Sequence, residues 1–148
     1  MKSLTMRNTE AVVRDLNDMR EFLERAVVTL GGSEDDAGDL VLAVNEAVTN
    51  VLLHGYDGRP GPISLCVEVE GADLRVILTD SARLFDPTQV PPPDINLPLE
   101  DRPLGGLGVH MMRQLTDELL YCVTPEGRNE LTFVKRGVIN QPETSRQP

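Results

Sequence analysis

The sequence predicts an α+β fold, a two-layer sandwich whose mostly antiparallel sheet is covered on one face by helices. Three observations carry that expectation. Apolar residues recur every three or four positions in three segments, the period of an amphipathic helix. Two longer stretches alternate apolar and polar residues on either side of a short turn, the mark of a β-hairpin. The order is strand, helix, helix, strand, strand, loop, helix, strand, strand, which keeps consecutive strands antiparallel and the helices together.

Each element has its own signal. Ser3 to Arg7 alternates weakly and is expected to form a short strand. Val12, Leu16, Met19, Leu23 and Val27 mark the first helix, with Asn8 or Thr9 expected to cap its start and Gly31-Gly32 to end it. Ser33 opens the second helix, with Asp36 in the capping-box position and acids suited to the positive helix end. That helix is expected to run to about Leu53. Ile63, Leu65, Val67 and Val69 alternate before a turn at Glu70–Asp73, and Leu74, Val76 and Leu78 alternate after it.

Regularity ends between Ser81 and Arg102. The run from Phe85 to Pro103 holds six prolines, which exclude a helix or a central strand. A glycine turn then enters a helix with Val109, Met112 and Leu115 on one face, and a hairpin follows around Pro125-Glu126-Gly127. One domain is expected over residues 1–136, with a polar, mobile tail over 137–148.

Composition narrows the function. The 148 residues are 40% hydrophobic, enough for a core, and the lack of Trp makes that core aliphatic. The net charge of −10 argues against general nucleic-acid binding. No run approaches the ~20 apolar residues of a membrane span, and the N-terminus has no apolar leader. A cytoplasmic protein is expected. Cys66 and Cys122 sit in apolar, strand-like runs and are expected to be buried free thiols; two Cys and two His give no zinc spacing.

Three patches carry chemistry. Glu46, Asn50 and His54 fall at i, i+4 and i+8, one stripe along the second helix. A carboxylate can act as general base, and an Asn oxygen suits Mg²⁺. Alone, such a stripe is an ordinary polar helix face. Here Val41, Val44, Val48, Val51, Leu52 and Leu53 make the helix apolar nearly all round, so the stripe should be semi-buried. Asp80 ends a buried strand and would otherwise be a turn-capping Asp. Gly105, Gly106 and Gly108 precede a helix and could present backbone N–H groups to an anion; neither G-x-G-x-x-G nor a Walker loop is present.

Taken in order, "NEAVTNVLLHGY", a strand-terminal Asp80 leading to "FDP", a Pro-rich loop and "PLEDRPLGGLGVHMMRQLTDELLY" resemble the GHKL ATPase superfamily. Within it, the chain is similar to the short, single-domain anti-sigma factor serine kinases of partner-switching systems, over about Thr9 to Arg136.

The resemblance implies the Bergerat ATP-binding fold, ATP and Mg²⁺ as cofactors, and specific roles. Glu46 would be the general base and Asn50 the metal ligand. Asp80 would recognise the adenine amino group. Gly105, Gly106, Leu107 and Gly108 would frame the phosphates, and Thr132 would lie near the adenine. Ala82 stands where the family often has the first glycine of D-x-G-x-G. His54 would position or support, Arg113 or Arg102 could meet phosphate, and residues 85–104 would form an ATP lid. The implied activity is phosphorylation of a serine or threonine on a STAS-domain antagonist, with sequestration of a sigma factor or other regulator. A homodimer through the first strand is plausible within the branch. The alternative is a binding module that only sequesters a partner, with or without nucleotide.

Overall fold

In the computed structural model, residues 2–92, 96, 98 and 106–139 are described. Eight main elements follow in order: β1 (Lys2–Ala11), α1 (Leu16–Thr29), α2 (Glu34–Asn50), β2 (Gly61–Glu70), β3 (Asp73–Asp80), α3 (Gly106–Leu115), β4 (Glu118–Val123) and β5 (Asn129–Lys135). The strands form one sheet in the order β1-β2-β3-β5-β4, and every neighbouring pair is antiparallel. The expected α+β sandwich is therefore present.

Strand register decides what faces the helices. Leu4, Val67, Val76, Phe133 and Leu119 form one cross-strand row, and Met6, Leu65, Leu78, Leu131 and Tyr121 the next. The central members of both rows are buried. Against them pack Met19, Leu23 and Val27 of α1 and Leu40, Val44 and Val48 of α2. The alternate row Thr5, Cys66, Ile77, Thr132 and Leu120 points to the other face.

α2 is fixed at both sides. Ser33 Oγ accepts from Asp36 N at 3.0 Å and donates to the Asp36 carboxylate at 2.8 Å. Lys135 of β5 reaches across to Asp39 at 2.7 Å. Gly31, at φ 105°, ends the preceding helix in a conformation that favours glycine.

The N-terminal boundary differs from expectation. β1 is ten residues long and takes in Asn8 and Thr9, so neither caps a helix. Asn8 pairs with Ile63 and Ala11 with Gly61. Val12 belongs to a turn instead, its N–H donating to Asp15 at 2.9 Å. The ladder pairing of Asn8 with Ile63 outweighs the local turn preference of Asn, while β-branched Thr9 suits a strand.

Two further expectations need correction. Cys66 is half-buried and Cys122 exposed, because both lie on the helix-free face and β4 is an edge strand. Gly137–Ile139 are anchored: Ile139 N donates to Ala72 O at 3.0 Å, and Val138 and Ile139 pack on the core. The rest of the expected tail, 140–148, lies outside the described residues. Among the described residues, no helix is long and apolar enough to cross a membrane.

Candidate active site

The site lies where α2, α3 and one end of the sheet meet. α2 buries Ala43, Val44, Ala47 and Val48 and leaves Glu46 and Asn50 half-buried. α3 brings Gly108 against both. A Cβ on Gly108 would stand 2.9 Å from Glu46 Oε2 and 3.9 Å from Asn50 Nδ2. Glycine at 108 is what lets these two heads converge beside the start of α3. Neither side chain has a hydrogen-bond partner among the described residues, and no buried polar side-chain atom is left unsatisfied there.

Beyond Asn50 the helix widens into a π turn, Val51–Gly55, with Tyr56 N bonded to Val51 O at 2.8 Å. Such widened turns often mark functional sites. His54 lies in this turn, exposed at the rim of the adjacent pocket.

That pocket has a volume of about 280 Å³. Ala47, Val51, Leu78, Val109, Met112 and Leu131 form apolar walls, while Asn50, Asp80, Tyr121 and Asn129 supply polar groups. Leu84 and Phe85 stand exposed at its edge. Glu46 is adjacent, at Gly108, rather than in the lining.

Asp80 is buried at the end of β3. Its Oδ1 accepts from Ala82 N and from Asn129 Nδ2, both at 2.9 Å. Oδ2 has no partner among the described residues. Burial pushes the Asp80 carboxyl above the ordinary Asp range, and the hydrogen bonds from Asn129 and Ala82 partly oppose that rise.

Asn129 was not singled out from the sequence. It is buried and pairs with Asp80 across the β3–β5 ladder. Its Nδ2 also reaches Ala82 O at 3.2 Å and Arg83 O at 3.3 Å. Its Oδ1 accepts from Phe85 N at 3.0 Å and Tyr121 OH at 2.5 Å. A backbone N–H can only donate, so Phe85 fixes the amide with its NH₂ toward Asp80. A signal was available: Asn129, Leu131 and Phe133 share one strand face by alternation, and a polar residue there points inward.

The same alternation corrects Thr132. It is buried, but it pairs with Ile77 and Leu120 on the face opposite the pocket. Arg113 is also placed differently from one expectation. Its guanidinium donates to Val90 O at 3.0 Å and Thr88 O at 2.5 Å, holding the first part of the expected lid rather than reaching for phosphate. Gly106 and Leu107 open α3. Gly105, Arg102 and most of the lid beyond Pro92 lie outside the described residues. Ala82 lines the pocket without positive φ, its methyl over Gly55.

The donor set fits a magnesium nucleotide. A largely apolar pocket includes an acceptor, Asp80 Oδ2, which matches an exocyclic amino group. No cluster of three or more His, Cys, Asp or Glu among the described residues could cage a metal alone. One Asn oxygen suits Mg²⁺, which shares its ligands with phosphates and water, and the start of α3 suits the phosphates themselves.

The chain has relatives among known proteins. Residues 9–135 match the model of the histidine kinase-like ATPase domain. The chain is 32% identical over 94 residues to the serine-protein kinase RsbW of Bacillus cereus (strain B4264), covering 61% of this chain and 59% of that protein. It is 31% identical over 94 residues to RsbW of Bacillus mycoides (strain KBAB4), with the same coverage. The chain thus spans 59% of the length of these curated relatives. A crystal structure of the RsbU and RsbW domains of Rv1364c from Mycobacterium tuberculosis superposes with a TM-score of 0.63 at 20% identity, over 96% of this chain and 34% of that one. That likeness concerns the fold. The chain belongs to the histidine kinase-like ATPase domain family.

Proposed function

We propose that this protein is a Mg·ATP-dependent protein serine/threonine kinase that phosphorylates a STAS-domain antagonist and sequesters a sigma factor or similar regulator. The observation that carries the reading is the convergence of Glu46 and Asn50 on Gly108, beside a pocket that ends at Asp80. The name of the relatives, serine-protein kinase RsbW, supports it.

The residues divide the work. Asp80 Oδ2 accepts from the adenine amino group while Ala47, Val51, Leu78 and Met112 hold the ring. Asn50 would offer its amide oxygen to the metal, and the glycines at 105, 106 and 108 would frame the phosphates. Bound Mg²⁺ supplies charge neutralisation at the phosphate oxygens. Glu46 takes the proton of the acceptor hydroxyl. The serine oxygen–phosphorus bond forms, the bond from the γ-phosphorus to its bridging oxygen breaks, and ADP leaves. The product carries nearly two added negative charges. Repulsion from a chain of net charge −10 would then release the phosphorylated antagonist and free the kinase for its second target.

The experiment is transfer of label from γ-labelled Mg·ATP to STAS-domain proteins encoded near this gene, with wild type and Glu46→Gln side by side. Label on a serine or threonine with wild type alone is expected. Bound ATP with no label on any candidate would overturn the kinase reading.

A further inference from the structure

Gly55 closes the π turn after α2, and Ala82 is the second residue past Asp80; both line the pocket. A Cβ on Gly55 would stand 2.7 Å from the Ala82 Cβ. That is well inside the separation at which carbon atoms attract. Gly55 is absent from the positive-φ positions, so backbone conformation does not demand glycine there. Space does.

Neither partner is free to retreat. Tyr56 OH accepts from Ser81 N at 2.8 Å and donates to Pro62 O at 2.7 Å. Ala82 N is bonded to Asp80, and Ala82 O and Arg83 O to Asn129. Tyr56 N closes the π turn onto Val51 O. Extra bulk at the contact therefore has two outlets. It pushes the Ala82 methyl into the pocket, or it tilts the π turn that follows Asn50. Through the Ala82 N–H bond, the first outlet also disturbs Asp80.

We propose that Gly55 and Ala82 are a matched pair that sets the width of the base-recognition end of the pocket, with Gly55 leaving the room that the Ala82 methyl occupies. The inference rests on the nucleotide reading above. It makes Gly55 a positioning residue and gives a physical reason why alanine is tolerated at 82.

The test is a double-mutant cycle on ATP affinity, with thermal midpoints measured without nucleotide. Gly55→Ala is expected to weaken ATP about tenfold, the scale of one overpacked methyl. Adding Ala82→Gly to Gly55→Ala is expected to restore most of that loss. A purely structural Gly55 would lower the midpoint and show no such rescue, which would overturn the pairing. Unchanged ATP affinity in Gly55→Ala would overturn it too, with the nucleotide reading left standing. Wild type without ATP affinity would overturn that reading and the pair's role together. Should Gly55→Ala fail to fold, Ala82→Val loads the same contact from the other side and is expected to weaken ATP similarly; unchanged affinity there would overturn the pairing.

Discussion

Asn129 Nδ2 lies 2.9 Å from Asp80 Oδ1, and the two residues are direct cross-strand partners. Asn129 also receives Phe85 N–H and Tyr121 OH on its other end. One amide therefore orients the carboxylate and ties down residues 82–85. In Asn129→Ala, Asp80 loses its side-chain donor and the loop loses its anchor. ATP affinity is expected to fall between about tenfold and a hundredfold, with stability lower by about 1–3 kcal/mol. Calorimetric titration and urea unfolding check both numbers. A stability loss with unchanged ATP affinity would reduce Asn129 to a packing role.

Asp80 should set stability against binding. Its carboxyl is held above the usual Asp value by burial. The native state therefore keeps a proton that the unfolded chain has already released, in the window from the ordinary value of 3.8 up to the raised one. The stabilising contribution is full below that window and is lost as pH rises through it. Asp80→Asn removes the buried charge and can still accept from Ala82 and Asn129. Its thermal midpoint at neutral pH is expected to exceed that of wild type. In the proposed nucleotide complex an NH₂ would then face the adenine amino group, and ATP affinity is expected to fall by roughly a hundredfold or more. In wild type, acid should weaken ATP as Asp80 protonates, because Oδ2 then donates where it must accept. A midpoint below that of wild type would refute the account.

The limits of the sequence reading follow from the same geometry. The cap at Ser33 and the helix from Glu34 were legible because both signals are local. So was the hairpin of β2 and β3, whose turn residues lie between its two alternating runs. β1 was underestimated because Asn8 is a poor strand former, and the ladder that holds it comes from Ile63, far along the chain. The stripe of Glu46 and Asn50 could be drawn from helical spacing, but its closeness to Gly108 depends on how α2 meets α3. Asn129 was missed and Thr132 misplaced for one reason. Strand alternation reverses the face at each residue, so an odd offset puts a side chain on the wrong side of the sheet.

Glu46 and Asn50 should separate catalysis from metal use. Glu46→Gln keeps the shape and removes the proposed base. Phosphoryl transfer is expected to fall by roughly 10²–10⁴-fold, with ATP affinity within a few-fold of wild type. Asn50→Ala removes the amide oxygen proposed as the metal ligand. Its ATP affinity is expected to be the same with Mg²⁺ as with a chelator, whereas wild type should bind more tightly with Mg²⁺. Transfer rates from single-turnover label incorporation, set beside titrations with and without Mg²⁺, distinguish the two. Retained Mg²⁺ dependence in Asn50→Ala would move the metal ligand elsewhere.

Arg113 should act on nucleotide entry through the loop it holds. Its guanidinium binds Thr88 O and Val90 O, while the Asp86 carboxylate accepts from Thr88 N at 2.8 Å. Pro87 and Val90 of this segment line the pocket, so α3 braces one pocket wall as well as presenting Gly108. Arg113→Ala frees two carbonyls to water and loosens that wall. Hydrogen bonds from a charged donor contribute about 1.5–3 kcal/mol each when sheltered, and less at a half-exposed edge. KM for ATP is expected to rise about fivefold to thirtyfold, while kcat changes by less than about threefold, because Glu46 and Asn50 keep their places. Arg113→Lys can reach one carbonyl but cannot fork to both, so its KM should fall between the two. Steady-state kinetics on all three proteins decide the matter. An effect on kcat alone would mean that Arg113 serves the transferring phosphate after all.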